Sequence, residues 1–218
     1  CHTFIGCGSQ AECGRKQEAL RADTLCQPEN AYGIAKLATC YATRMLCNQL
    51  GIRHIWTRVL SAYGPYDNMH SVIISPILKK LAGERELQFT KGEQVWDFTY
   101  TYDIADVVVL WALRGQGDAI FPLGSGKAHL LREYLQILVE KLQMQGLANF
   151  GAIPYADKQI MYLAADNNAI YQDTGWTHST GFEDGINKVI RFYENFVQTT
   201  LGKQMLAAVQ PDGGAGAR

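Results

Sequence analysis

The sequence predicts an α/β fold built on a partly parallel sheet. Strand-like and helix-like segments alternate along the chain, and the stretches between strands are long enough for helical crossovers. No segment recurs at a period of roughly 20–50 residues, which sets repeat architectures aside. A length of 218 residues suits one domain, or one domain with a lobe.

Residues 2–7 read as a buried strand, followed by a long loop. A helix is expected from Ala31 to Leu50, closed by Gly51 as a left-handed cap. His54 to Leu60 is β-rich and ends at a turn cluster, Ser61-Ala62-Tyr63-Gly64-Pro65. Ser71 to Ala82 is amphipathic, with Pro76 inside it and Gly83 ending it. Short strands follow at Leu87–Phe89 and Val95–Tyr100, and a helix starts near Asp103, whose carboxylate suits an N-terminus. Then come a strand at Ala119–Leu123, a helix over 130–145, a strand near 160–163 and a helix over 182–197. Gln210 to Arg218 is Gly/Ala-rich and reads as a loose tail.

Charge and composition exclude several classes. Twenty Lys+Arg against 21 Asp+Glu gives a net charge of −1, without the basic excess of a nucleic-acid binder. A hydrophobic fraction of 47% is ample for a core. No apolar run approaches the ~20 residues of a membrane helix, and no leader is visible, so the expected location is cytoplasmic. The chain opens on Cys1, in the middle of a strand, and reads as the later part of something longer. Its six cysteines form no C-x-x-C pair and precede no suitably spaced His, so no metal site is expected and the thiols are read as reduced.

Two glycine motifs invite a phosphate-binding reading, and neither has the context for it. Gly6-Cys7-Gly8-Ser9-Gln10-Ala11 fits G-x-G-x-x-A, but Glu12-Cys13-Gly14 does not open the helix that a pyrophosphate requires. Gly124-Ser125-Gly126-Lys127 lacks the remaining residues of a P-loop. Tyr32 and Lys36 are more informative: at i and i+4 they share a helical face. An ammonium beside a phenol favours the phenolate, which suits a general base. Alone the spacing decides nothing. Ser9 lies just past a strand, and in a parallel sheet successive strand ends meet the intervening helix at one edge. The alternative is a loop serine beside ordinary surface residues.

Taken together these residues resemble the extended short-chain dehydrogenase/reductase family, the NAD-dependent sugar epimerases and dehydratases. Ser9 with Tyr32-x-x-x-Lys36 matches its Ser/Thr–Tyr–Lys set, and Arg58 to Pro65 its R-x-x-N-x-Y-G-P segment, with Ser61 in place of Asn. Gln94 to Tyr100 with Asp103 is similar to R-D-F-x-x-V-x-D, with Trp96 in place of Arg. Leu123-Gly124-Ser125-Gly126 and Asp173-Thr174-Gly175-Trp176 resemble its later turns, so the likeness runs in order over residues 2–197.

The resemblance implies the later part of a Rossmann-like doubly wound sheet plus a small mixed α/β substrate lobe. Residues 1–65 would complete the NAD(P)-binding domain, and 66–206 would form mainly the lobe, with 103–123 returning to the sheet and 207–218 as tail. It implies NAD or NADP as cofactor, a nucleotide-sugar substrate and a homodimer, with no nucleic-acid or membrane partner. Ser9, Tyr32 and Lys36 would be catalytic, Lys36 and Tyr32 with Val59 and Leu60 would meet the nicotinamide, and Ser61, Gln94 and Trp96 would meet the substrate. Trp96 offers a stacking face, or packing beneath its loop. Gln10 and Ala11 stand where 4,6-dehydratases carry acids, which points to epimerisation or 4-keto reduction. A non-catalytic NAD(P)-binding or sensing protein is the other class. Because Ser9 lies late in such a sheet, three or four βα units of ~30 residues each are expected upstream, and the chain alone is expected to bind dinucleotide poorly.

Overall fold

A computed structural model describes residues 1–114 and 119–209. In chain order the first elements are β1 (Thr3–Ser9), a 3₁₀ turn (Gln10–Glu12), α1 (Ala31–Leu50), β2 (Arg53–Val59), β3 (Ser61–Tyr63) and α2 (Ile74–Leu81). They are followed by β4 (Leu87–Phe89), β5 (Val95–Trp96), β6 (Phe98–Tyr100), α3 (Thr101–Arg114), β7 (Ala119–Leu123) and β8 (His129–Leu130). The last are α4 (Leu131–Lys141), β9 (Ala148–Phe150), β10 (Tyr162–Leu163), α5 (Asn168–Thr174), α6 (Phe182–Phe196) and α7 (Thr200–Val209).

The described residues divide into two compact units, one from 1–62, 93–114, 119–130 and 158–180, the other from 63–92, 131–157 and 181–209. The first unit carries a parallel sheet in the order β1-β2-β7. Its register places Ser9 opposite Val59 and Val59 opposite Leu123, so three strand ends form one row. The central strand β2 is buried through most of its length, as expected when both faces of a parallel sheet are covered. Alternation sorts its side chains. Ile55 joins Phe121, Leu123 and the α3 residues Val107 and Trp111 in one core, with Ile170 of α5. His54 faces the other way, meets Thr43 of α1 at 3.0 Å and stacks on Phe4 and Trp56.

The G-x-G motif of β1 has a steric purpose. A Cβ on Gly6 would collide with the Trp56 ring, and one on Gly8 with Trp56 Nε1 and Glu12 Oε1. The glycines make room for an indole.

The long loop after β1 is tied down at Leu20, whose N–H donates to Ala164 O (2.8 Å) while its carbonyl accepts from Asp166 N (2.9 Å). Cys13, Leu20, Leu60, Leu163 and Ala165 form a second core there. The expected strand over 95–100 is interrupted at Asp97, which is fully buried and accepts from Ser125 N (2.7 Å), Ser125 Oγ (2.6 Å), Gly126 N (3.1 Å) and Ala165 N (3.1 Å). Asp103 does not cap its helix, which begins two residues earlier. Its carboxylate accepts instead from the backbone N–H and hydroxyl of Ser179 and Thr180, at 2.9–3.2 Å.

In the second unit, α2 begins at Ile74 rather than Ser71, because the Ser71 hydroxyl accepts the Ile74 N–H at 3.1 Å. Pro76 then falls in the first turn, where its missing N–H has no intrahelical role. The β4–β9 pair is parallel, and Tyr66, Phe192 and Phe196 pack edge-on and stacked beside Tyr193. Burial pushes the Tyr193 phenol up to about 12. Of the expected tail, residues 207–209 continue α7, and 210–218 lie outside the described residues. Among the described residues no helix is long and apolar enough to cross a membrane.

Candidate functional site

Ser9 ends β1 and caps the 3₁₀ turn. Its Oγ accepts from Ala11 N (3.2 Å), and Glu12 returns the bond by accepting from Ser9 N (2.8 Å). This reciprocal capping box fixes the serine backbone while leaving the hydroxyl proton to donate. α1 arrives at the same corner. Asn30 caps it through Oδ1 to Gly33 N (2.8 Å), and a Cβ on Gly33 would strike the Ala11 carbonyl, so the helix start lies directly on the Ser9 turn.

Lys36 donates from Nζ to Cys7 O (2.7 Å) and sits 5.7 Å from the centroid of the Tyr32 ring. Tyr32 is 56% exposed. Both residues border a cavity of about 490 Å³, together with Gly6, Cys7, Thr39 and Trp56. Ser9 is near that cavity along β1 but is not part of its wall.

The remaining sequence-derived candidates are placed less directly. Val59 follows Ser9 in register and packs into the Ile55 core, while Leu60 is buried in the Cys13 core. Neither side chain lines the Tyr32–Lys36 cavity. Ser61 opens β3, and Trp96 is half-buried against the Cys13 core. Gln94 is 2% exposed, and its Oε1 has no hydrogen-bond partner.

Sequence reasoning missed the most elaborate feature of this corner. Glu12, fully buried, accepts from Trp56 Nε1 (3.0 Å) and from Arg58 Nε (3.2 Å) in addition to Ser9 N. Arg58, 3% exposed, also reaches Ala22 O (3.4 Å) and Cys26 Sγ (2.9 Å). The Ser9-x-x-Glu12 spacing was the available signal, since it is that of a capping box.

A family model described as the NAD dependent epimerase/dehydratase family matches residues 1–124. The chain belongs to this family. Among curated members it is 27% identical over 178 residues to dTDP-glucose 4,6-dehydratase of Escherichia coli, covering 77% of this chain and 49% of that protein. Solved structures with the same fold include RMD from Pseudomonas aeruginosa complexed with NADPH (TM-score 0.78, 18% identity, 88% of this chain and 66% of that one). Another is UDP-glucose 4-epimerase from Thermotoga maritima with UDP-glucose (TM-score 0.79, 20% identity, 89% and 64%). The chain spans about half the length of the curated epimerase/dehydratase relatives it matches.

Proposed function

We propose that this chain forms part of an NAD(P)-dependent epimerase or 4-keto reductase acting on a nucleotide-activated sugar. The observation that carries the reading is the shared cavity of Tyr32 and Lys36, which runs along Phe4–Cys7 of the strand that ends in Ser9. An exposed phenol, an ammonium held by a backbone carbonyl and a hydroxyl with its proton available fit the nicotinamide end of a dinucleotide and a sugar oxygen. The nicotinamide, when bound, would take and return hydride in epimerisation, or supply it in 4-keto reduction. Tyr32 Oη exchanges a proton with the sugar hydroxyl. Lys36 holds ribose hydroxyls and keeps positive charge beside the phenol, and Ser9 donates to the sugar oxygen. The cysteine and glycines between them hold no phosphate in this reading, because Trp56 occupies the space over Gly6 and Gly8.

Dehydration at C5–C6 is set aside. Gln10 and Ala11 cannot move a proton at neutral pH, and both oxygens of Glu12 are committed to Trp56, Arg58 and Ser9. Exposed Ile34, Tyr41 and Met45, seven and four residues apart along α1, support a homodimer as the working form.

The test is a panel of nucleotide hexoses and their 4-keto derivatives, offered to the intact protein with NAD or NADP and followed by NMR. A C4 epimer or a reduced 4-keto sugar supports the reading, and a 4-keto-6-deoxy product from a hexose overturns it. Tyr32→Phe lowers turnover by at least ~10²-fold with dinucleotide affinity kept, whereas Lys36→Met lowers both. Tight dinucleotide binding with no turnover on any member of the panel favours a sensor.

A further inference from the structure

We propose that Cys13 and Cys26 are a reversible dithiol–disulfide pair that ties the Ser9 turn to the segment entering α1. Cys13 is fully buried immediately after the 3₁₀ turn, and its N–H donates to Gln10 O at 3.0 Å. Cys26 packs against the same core and is partly exposed. The backbone is already paired around them. A Cβ on Gly14 would collide with the Gln27 carbonyl, Arg15 bridges Glu29 at 2.9 Å, and Lys16 donates to Gln27 at 3.0 Å. Residues 14–16 and 27–29 therefore run side by side, which sets Cys13 and Cys26 on adjacent segments against one core.

The two thiols differ in access. Cys26 is within reach of a small oxidant and accepts a hydrogen bond from Arg58. Burial pushes the Cys13 thiol up to about 11, against the opposing pull of Arg58, so it stays protonated at neutral pH and acts second. With a small-molecule disulfide as oxidant, Cys26 loses its proton to solvent and attacks one sulfur, breaking the S–S bond and releasing one thiol. Cys13 then loses its proton and attacks Cys26 Sγ, expelling the second thiol. Two protein thiols are oxidised and one disulfide is reduced. None of this depends on the proposed enzymatic activity.

The experiment treats the folded intact protein with excess oxidised glutathione, alkylates the remaining thiols and digests with trypsin without reduction. Cleavage after Arg15, Arg21 and Lys36 leaves the peptide ending at Arg15 and the peptide 22–36, so the bridge appears as these two peptides joined and lighter by two hydrogens. Dithiothreitol separates them. Because the peptide ending at Arg15 also holds Cys1 and Cys7, the link must survive in the Cys1→Ser/Cys7→Ser variant and vanish in Cys26→Ser. That pair of variants leaves the buried Cys13 untouched, so a folding defect at position 13 does not cloud the result. Loss of the link in Cys1→Ser/Cys7→Ser, a glutathione adduct persisting on Cys26, or alkylation of both Cys13 and Cys26 after oxidation overturns the proposal.

Discussion

Glu12 and Asp97 are both fully buried carboxylates in the sheet-bearing unit, and the chain satisfies them in opposite ways. Glu12 is held by a cation and an indole delivered by the neighbouring strand, Arg58 and Trp56. Asp97 is held by backbone N–H groups of Ser125, Gly126 and Ala165 and by one hydroxyl. The first arrangement depends on side chains that a mutation can remove, leaving a charge behind. The second depends mainly on backbone amides, which among substitutions only a proline removes, and it organises two loops at once. A buried ion pair is fragile when cut from one side, whereas a carboxylate ringed by amides is most exposed to change of the carboxylate itself.

The largest effect is expected from Arg58→Met, which strands Glu12 in the core and costs about 3–5 kcal/mol of unfolding free energy. Urea denaturation of the intact protein measures it, and Glu12→Gln/Arg58→Met should be more stable than Arg58→Met alone. If the double variant is the weaker of the two, the pair is not coupled as its geometry implies. Asp97→Asn comes next at about 2–3 kcal/mol, since an amide offers one acceptor and turns N–H groups toward N–H donors. Hydrogen exchange at Ser125, Gly126 and Ala165 should accelerate in this variant, with exchange at Ser9 unchanged. Acceleration at both corners would erase the contrast. Trp56→Phe is the mildest, about 1–2 kcal/mol, because Glu12 keeps Arg58 and Ser9 N after losing the indole donor.

What the sequence could announce was whatever is settled within a helical turn or along one strand. The end of α1 follows from Gly51, where φ is +65°, and the i, i+4 spacing alone places Tyr32 and Lys36 on one face. The parallel α/β alternation is equally local, being a matter of period and of crossover length. Short elements such as β8, β9 and α5 carried no such signal, because a few residues give no period to read. The tertiary structure alone decided the rest. Glu12 meets Arg58 because the β1–β2 register sets Gly8 beside Arg58, and the motif glycines of β1 serve an indole on another strand. Trp96 lies against the Cys13 core, and Asp97 breaks its strand, because donors from distant loops converge there. Such pairings are fixed by strand register and core packing, interactions between residues far apart in the chain, for which a local pattern holds no information.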